Sequence, residues 1–124
     1  MIIEHVHLSV RRGQSAAFEQ AFNIAKEIIQ QATGFQQLQL MQHHTNVEHY
    51  ILQVHWDTLE HHTEGFRKSE AYLEWKALLH HFYDPMPNVE YFKPCKFYEV
   101  IIKKSAINFR WCIKKYAEKK QVEF

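Results

Sequence analysis

The spacing of apolar residues along this chain switches between two residues and about 3.6 residues. In residues 1–10, apolar side chains alternate with polar ones, which predicts a half-buried β-strand. In residues 14–32 they recur every three or four positions, which predicts an amphipathic helix, and Gly34 supplies a stop. A chain patterned in this way has to pack helices against a sheet.

The same switch occurs a second time along the chain. Residues 35–43 and 49–56 alternate again around a polar turn, so they are predicted to form a β-hairpin. Helical spacing follows in residues 59–66, weakens after Gly65 and resumes in residues 71–82. A second helix in two pieces is therefore predicted.

The last strand follows a proline-rich loop. Residues 84–87 read Asp-Pro-Met-Pro, which excludes a helix or a strand ladder there. Residues 89–100 are predicted to form the fourth strand, and Pro94 within it indicates an edge position, where a missing N–H breaks no ladder bond. The order β-α-β-β-α-β predicts an α+β fold, the ferredoxin-like split βαβ arrangement, with a four-stranded antiparallel sheet and both helices on one face.

Two helices cover only one face of such a sheet, so the other face meets water or a partner. Strict alternation points seven apolar residues at the helices: Val6, Leu8, Leu38, Leu40, Leu52, Val54 and Trp56. It puts a mixed set on the opposite face: His5, His7, Ser9, Phe35, Gln37, Gln39, Met41, Ile51, Gln53 and His55. Such a mixture suits a protein interface, so a homodimer through this face is predicted, with a solvated sheet as the alternative.

Length and composition bound the remaining possibilities. A chain of 124 residues, 46% of them hydrophobic, buries one core but hardly two. No apolar run follows a basic start, and none approaches the roughly 18 residues of a membrane span, so a cytoplasmic protein is expected. Cys95 and Cys112 lack C-x-x-C spacing and are expected to be free thiols. The few glycines leave little scope for a nucleotide-binding loop.

Charge divides the chain into two parts. Residues 1–100, the expected domain, hold eight Lys or Arg against twelve Asp or Glu, whereas residues 101–124 hold seven against two. The second part is predicted to be a basic amphipathic helix whose apolar face docks on the acidic body of its own or the partner subunit. Contact with a membrane surface or with nucleic acid is the weaker alternative, and neither a nucleic-acid partner nor a membrane span is expected.

Residues 56–91 contain the spaced string W…H…F-R-x-S…Y…W…L-L-H-H-F-Y-D-P-x-P. With the alternating first strand, Gly13, and a helix that holds Phe18 and Phe22, it resembles the antibiotic biosynthesis monooxygenase family over about residues 1–100, especially small bacterial members of unassigned substrate. The resemblance implies ferredoxin-like subunits that pair sheet to sheet as a dimeric α/β barrel, in agreement with the mixed sheet face.

The resemblance leaves three functions open. Some members are monooxygenases of aromatic compounds that use no cofactor, which makes such an enzyme, acting on a small aromatic or quinone-like compound, the first hypothesis. A non-catalytic small-molecule-binding or stress-response protein is the second. Haem binding or degradation is the third, because the Asn, Trp and haem-ligating His of the haem-degrading branch fall on Val6, Phe66 and Lys76, which cannot replace them.

The resemblance also implies a pocket between the sheet and the helices. Its expected aromatic and polar lining consists of Trp56, His62, Phe66, Tyr72, Trp75 and His80. Oxygenation without a cofactor needs a base that deprotonates a phenol-like substrate, and His62 is the first candidate because imidazoles titrate near neutrality. Tyr72 and Trp75 would orient the substrate ring. The alternative is that these aromatic residues only pack the core.

Three histidines form a second constellation. His5, His7 and His55 project from neighbouring strands to the sheet face expected at the dimer interface. Imidazoles grouped across a dimer axis could bind zinc, nickel or copper, but ordinary hydrogen-bonded interface histidines are the favoured interpretation, and no metal is expected. Protonation below about pH 6 would gather like charges at the interface, which predicts a pH-sensitive dimer.

Overall fold

The computed structural model describes residues 1–95 of the chain. The expected basic extension, residues 101–124, and the final part of the predicted fourth strand lie outside the described residues. Within the described part, Met1–Pro94 packs as one compact unit. No helix in residues 1–95 has the length and apolar character needed to cross a bilayer.

The order of elements follows the predicted pattern. In chain order they are β1 (Ile2–Ser9), α1 (Ser15–Ile29), β2 (Phe35–Gln42), β3 (His49–Trp56), a π-helical turn (His61–Gly65), a 3₁₀ turn (Phe66–Lys68), α2 (Glu70–Leu79), a second 3₁₀ turn (His80–Phe82) and β4 (Val89–Phe92). The strands form one antiparallel sheet in the order β2-β3-β1-β4. The predicted ferredoxin-like α+β fold is confirmed, with β1 and β3 in the centre of the sheet.

The core lies between one face of this sheet and the two helices. Phe18 and Ala25 of α1, Leu79 of α2, and Val54 and Trp56 of β3 are all fully buried there. Each large apolar side chain stabilises the fold by about 1.5–3 kcal/mol through its burial. The seven residues expected to point at the helices do so, although Leu38 and Leu40 of the outer strand β2 are only partly buried.

A β-bulge near the start of β2 changes one expected orientation. Phe35 pairs with Trp56 while Gln37 pairs with His55, so Gln36 is an extra residue in the ladder. The bulge turns Phe35 to the core side, where its ring meets the Trp56 ring edge to face at 6.0 Å. The expectation that Phe35 lies on the outer face is wrong, because strict alternation does not persist through a bulge.

The second helix breaks where the sequence indicates. Ser69 is extended, and its Oγ accepts a hydrogen bond of 3.2 Å from the Tyr72 N–H, so α2 begins at Glu70. Before it, the π-helical turn changes which side chains share a face, because its hydrogen bonds span five residues instead of four. His62 and Phe66 are buried, whereas Leu59, expected on the same face, is 36% exposed.

Strand β4 is shorter than expected. It pairs only with β1, which confirms the predicted edge position. However, it ends at Phe92, and residues 93–95 are not in a strand, so the predicted continuation through them is wrong. Pro94 has no N–H to donate and lies beyond the ladder instead of within it. Cys95 is exposed with a free thiol.

Candidate active site

A carboxyl group lies on the core side of β1. Glu4 follows the same alternation as Val6 and Leu8, and it is only 6% exposed. The indole Nε1–H of Trp56 donates a 3.0 Å hydrogen bond to Glu4 Oε1. Burial raises the pKa of Glu4 to about 7, and the Trp56 hydrogen bond and the charge of Arg67 only partly oppose that rise. Near neutral pH this carboxyl group therefore exchanges a proton readily.

His62 covers this carboxyl group from the π-helical turn. Its ring stacks on Trp56 at 5.3 Å between centroids, and its Nε2 lies 3.4 Å from Glu4 Oε1. Burial, and then the positive charge of Arg67, lower the pKa of His62 to about 4. The imidazole is consequently neutral at physiological pH.

Tyr91 completes a row of three titratable groups. It is the cross-strand neighbour of Glu4 on β4, and its hydroxyl group lies 2.7 Å from His62 Nδ1. When the proton of the neutral imidazole is on Nε2, that N–H faces the Glu4 carboxyl group, and Nδ1 accepts from the Tyr91 hydroxyl group. Burial, followed by the negative charge of Glu4, raises the pKa of Tyr91. The row links the buried carboxylate to a half-buried phenol through one neutral imidazole.

A pocket of about 430 Å³ opens beside this row, between the sheet and α2. Glu4, Val6 and Leu8 of β1 form its buried wall on the sheet side. The other walls are built largely from aromatic and apolar residues: Ile29, Leu52, Phe66, Tyr72, Trp75, Tyr83, Met86, Pro87 and Val89. Its size and lining are those of a site for a small flat organic molecule, with a few polar groups directed into it.

Three groups that can carry positive charge line the same pocket. Arg67 and Lys76 are exposed, and His80 at the end of α2 is half-buried. The Arg67 guanidinium lies over the Tyr72 ring, 5.9 Å from its centroid. Burial, and then the charges of Lys76 and Arg67, lower the pKa of His80. The pocket thus has a buried acidic group on the sheet side and a basic exposed rim.

The structure brings five of the six expected pocket residues together. The pocket is lined by His62, Phe66, Tyr72, Trp75 and His80. Trp56, in contrast, is fully buried beneath His62 and contacts the site through Glu4. Core packing was the alternative expected for these aromatic residues. Phe66 and Trp75 do both, because they belong to the core and also border the pocket.

Sequence reasoning missed Glu4, Tyr91 and Arg67 at this site, and Glu4 was the most predictable of the three. The signal was present, because period-two alternation puts Glu4 on the same side as Val6 and Leu8. A carboxylate on the apolar side of a central strand is costly unless it has a partner or a function. The indole N–H of Trp56, 52 residues away in sequence, is that partner.

The residues carried over from the haem-degrading branch also fall at this pocket. Val6, Phe66 and Lys76 all line it. None of the three has an imidazole or an amide, so they supply neither a distal hydrogen bond nor a good iron ligand. His80 is the nearest imidazole in sequence to Lys76 that lines the pocket.

The histidines of the outer sheet face are arranged differently from the expected constellation. His5 and His7 lie edge to face at 5.1 Å, but the next imidazole is His49, whose Nε2 lies 3.2 Å from His7 Nδ1. His55 is opposite Ile3 and contacts Gln37 instead. Residues 1–95 contain no group of three or more His, Cys, Asp or Glu side chains placed to hold a metal ion.

A second depression, of about 500 Å³, lies between the end of α1 and the π-helical turn. Its acidic residues, Glu27 and Glu74, are exposed, and His61 is half-buried. It lacks a buried titratable pair, whereas the pocket beside Glu4 has one in Glu4 and His62.

The chain is similar in sequence to one protein family and to a bacterial protein of nearly the same length as the matched region. A family model described as antibiotic biosynthesis monooxygenase matches residues 1–78. The chain is 45% identical over 93 residues to the uncharacterized protein YczJ of Bacillus subtilis (strain 168), which covers 75% of this chain and 98% of the relative.

Solved structures agree with this placement. A protein of Bordetella bronchiseptica assigned to the antibiotic biosynthesis monooxygenases matches with a TM-score of 0.73 and 26% identity, over 76% of this chain and 96% of that one. SnoaB, a cofactor-independent oxygenase from Streptomyces nogalater, has a TM-score of 0.64 at 15% identity, over 79% of this chain and 97% of its own, which shows a shared fold alone. The family match and the 45% identity confirm the resemblance read from the sequence: this chain belongs to the antibiotic biosynthesis monooxygenase family.

Proposed function

We propose that this chain is a cofactor-independent monooxygenase that oxidises a small phenolic or quinone-like aromatic compound. The observation that carries the proposal is a buried carboxyl group, Glu4, with a pKa of about 7 in an aromatic-lined pocket. A base with a pKa near the working pH takes a proton from a phenol and returns it efficiently. SnoaB, which shares the fold, is described as an oxygenase of this kind.

The proposal gives the role of base to Glu4 instead of His62. Burial lowers the pKa of His62 to about 4, which makes its imidazole a weak base, whereas the pKa of Glu4 is raised. His62 is then a positioning residue, because its Nε2 lies 3.4 Å from Glu4 Oε1, the atom that also accepts the Trp56 hydrogen bond. Tyr72 and Trp75 border the space that an aromatic ring would fill, and His80 is a second polar group there.

The proposed reaction uses the substrate as the source of electrons. Glu4 removes the phenolic proton, and the resulting anion passes one electron to dioxygen. The carbon radical and superoxide then combine, and Glu4 returns the proton to give a carbon-bound hydroperoxide. Loss of the remaining C–H proton with cleavage of the O–O bond gives a carbonyl group and water. In total, a ring CH₂ and O₂ become C=O and H₂O, so atoms and electrons balance.

An oxygen electrode with anthrone and hydroquinone as substrates tests this proposal. We expect one O₂ consumed per anthrone oxidised, with one oxygen-18 atom entering the anthraquinone formed under labelled oxygen. His62→Ala is expected to slow turnover, because Glu4 loses its neighbour. Binding of anthrone without oxygen consumption would instead identify a non-catalytic binding protein. A Soret band on adding haemin, with no turnover of anthrone, would favour the haem hypothesis.

We also propose that two copies associate through the outer sheet face. Phe92 is 51% exposed there, next to the His5 ring at 5.7 Å, and Ile3, Ile51 and Met41 add half-buried apolar surface. A face with exposed aromatic and aliphatic groups among polar ones has the composition of a protein interface. Sheet-to-sheet pairing of this kind is what the family resemblance implies.

Phe92→Glu should weaken this dimer, because it puts a charged carboxylate among the apolar groups of the interface. Sedimentation velocity should give a dissociation constant at least about tenfold higher for this variant than for the wild type. Leu73→Glu, at an exposed position on α2, should leave the dissociation constant unchanged. Equal affinity of the wild type and Phe92→Glu would contradict the proposed interface.

A further inference from the structure

We propose that the ligand of the Glu4 pocket is an organic anion, an aromatic compound with a carboxylate or similar acidic group that contacts Arg67. The inference rests on the proposed function, since it names the substrate class of the same pocket. The phenolic end of the ligand would face Glu4, and its acidic end would face the basic rim formed by Arg67, Lys76 and His80.

The first argument is that neither rim cation forms an ion pair with a carboxylate in the described fold, although the charge of Arg67 acts on Glu4 and Tyr91. Arg11 pairs with Asp84 and Lys68 pairs with Glu64, so neighbouring cations do find carboxylates. Neither Arg67 nor Lys76 forms an ion pair with any carboxylate of residues 1–95. Because both cations border one pocket and neither has a carboxylate partner, they are available to an anion that enters the pocket.

The second argument is geometric. Arg67 extends over the Tyr72 ring, and Tyr72 itself packs edge to face on Phe66 at 5.6 Å. A planar ligand lying along these aromatic walls would therefore pass directly beside the guanidinium group. The planar guanidinium donates two parallel hydrogen bonds to a carboxylate, which a neutral ester cannot accept as strongly.

The third argument is the contrast in charge between the two sides of the pocket. On the sheet side the polar group is a carboxyl, which repels an anion but accepts a proton from a neutral phenol. At the rim, Arg67 and Lys76 border the pocket without a carboxylate partner, and their charges add to the effect of burial in lowering the pKa of His80. An acidic aromatic compound that also carries a phenol satisfies both sides, and it can bind in only one direction.

Isothermal titration calorimetry with 6-hydroxy-2-naphthoate and its methyl ester tests the inference. We expect the wild-type protein to bind the acid about tenfold to a hundredfold more tightly than the ester, and the preference to shrink as salt is added. Arg67→Gln should remove the preference, so that the acid binds no more tightly than the ester. Lys68→Gln, the matched change at the next residue, should keep it, because Lys68 pairs with Glu64 and does not border the pocket.

Three results would overturn the inference: equal binding of acid and ester, binding of neither, or a preference for the acid that persists in Arg67→Gln. The assay does not depend on turnover, so it separates the two proposals. A protein that prefers the acid but never consumes oxygen would refute the monooxygenase proposal and leave the anion site standing.

Discussion

Replacing Glu4 with Gln should lower kcat for oxygen consumption about 100-fold to 10,000-fold, the usual contribution of a general base. The amide has the shape of the carboxyl group, and its oxygen can still accept from the Trp56 indole N–H, so the fold and the pocket are kept. In the wild-type protein, kcat/KM should rise with pH through about 7 as Glu4 loses its proton. In Glu4→Gln this rise should disappear.

Glu90→Gln is the matched control for this variant. It makes the same chemical change on the same sheet, but Glu90 is the cross-strand partner of His5 and is exposed on the outer face. Its activity and pH profile should equal those of the wild type. Full activity in Glu4→Gln, with an unchanged pH profile, would show that Glu4 is not the base.

Opposite pH dependences of stability are expected in Glu4→Gln and His62→Gln. Folding raises the pKa of Glu4 from 4.5 to about 7. The contribution of Glu4 to the free energy of unfolding is therefore complete below pH 4.5 and is lost as the pH rises through 7. Folding lowers the pKa of His62 from 6.5 to about 4. The contribution of His62 to the free energy of unfolding is therefore complete above pH 6.5 and is lost as the pH falls through 4. Between pH 4.5 and pH 6.5, Glu4 loses a proton on unfolding and His62 gains one, so the protein takes up no net proton from the solvent.

The wild-type protein should therefore show little pH dependence from this pair between about pH 5 and about pH 6.5. In Glu4→Gln only the His62 effect remains, and the free energy of unfolding should fall as the pH falls. In His62→Gln only the Glu4 effect remains, and the free energy of unfolding should rise as the pH falls. Each slope approaches about 1.4 kcal/mol per pH unit, which amounts to at most about 2 kcal/mol across this interval.

Urea unfolding at three pH values in this interval measures both slopes, provided that each transition is two-state. Glu90→Gln should keep the wild-type profile, because its carboxyl group is exposed. Slopes of the same sign in Glu4→Gln and His62→Gln would contradict the assignment of a buried proton to Glu4. Such a result would also weaken its role as the base.

The fold could be predicted from the sequence because each element has a local signature. Alternation, helical spacing, Gly34 and the Asp-Pro-Met-Pro loop each indicate a boundary without reference to distant residues. The expectations for Phe35 and for the end of β4 were wrong for a non-local reason. The bulge at Gln36 reverses Phe35, and β4 ends before Pro94, because irregular pairing depends on the partner strand and not on the pattern alone.

The candidate site was predicted only in part. Family resemblance and spacing indicated His62, Tyr72 and Trp75, and these residues do border one pocket. The arrangement of proton acceptors was not predictable, because it depends on desolvation. A histidine expected to titrate near neutrality becomes a weak base when buried, and a carboxyl group that ordinarily titrates far lower moves close to neutrality.

The sequence by itself determined which side of each strand faces the helices and therefore that the chain builds a ferredoxin-like sheet with one open face. Glu4 was already directed to the core by that alternation. Only the tertiary structure decided what the buried carboxyl group meets: Trp56 from β3, His62 from the π-helical turn and Tyr91 from β4. Periodicity fixes a direction for each side chain, whereas a pKa depends on the solvent excluded and the charges brought near by distant segments.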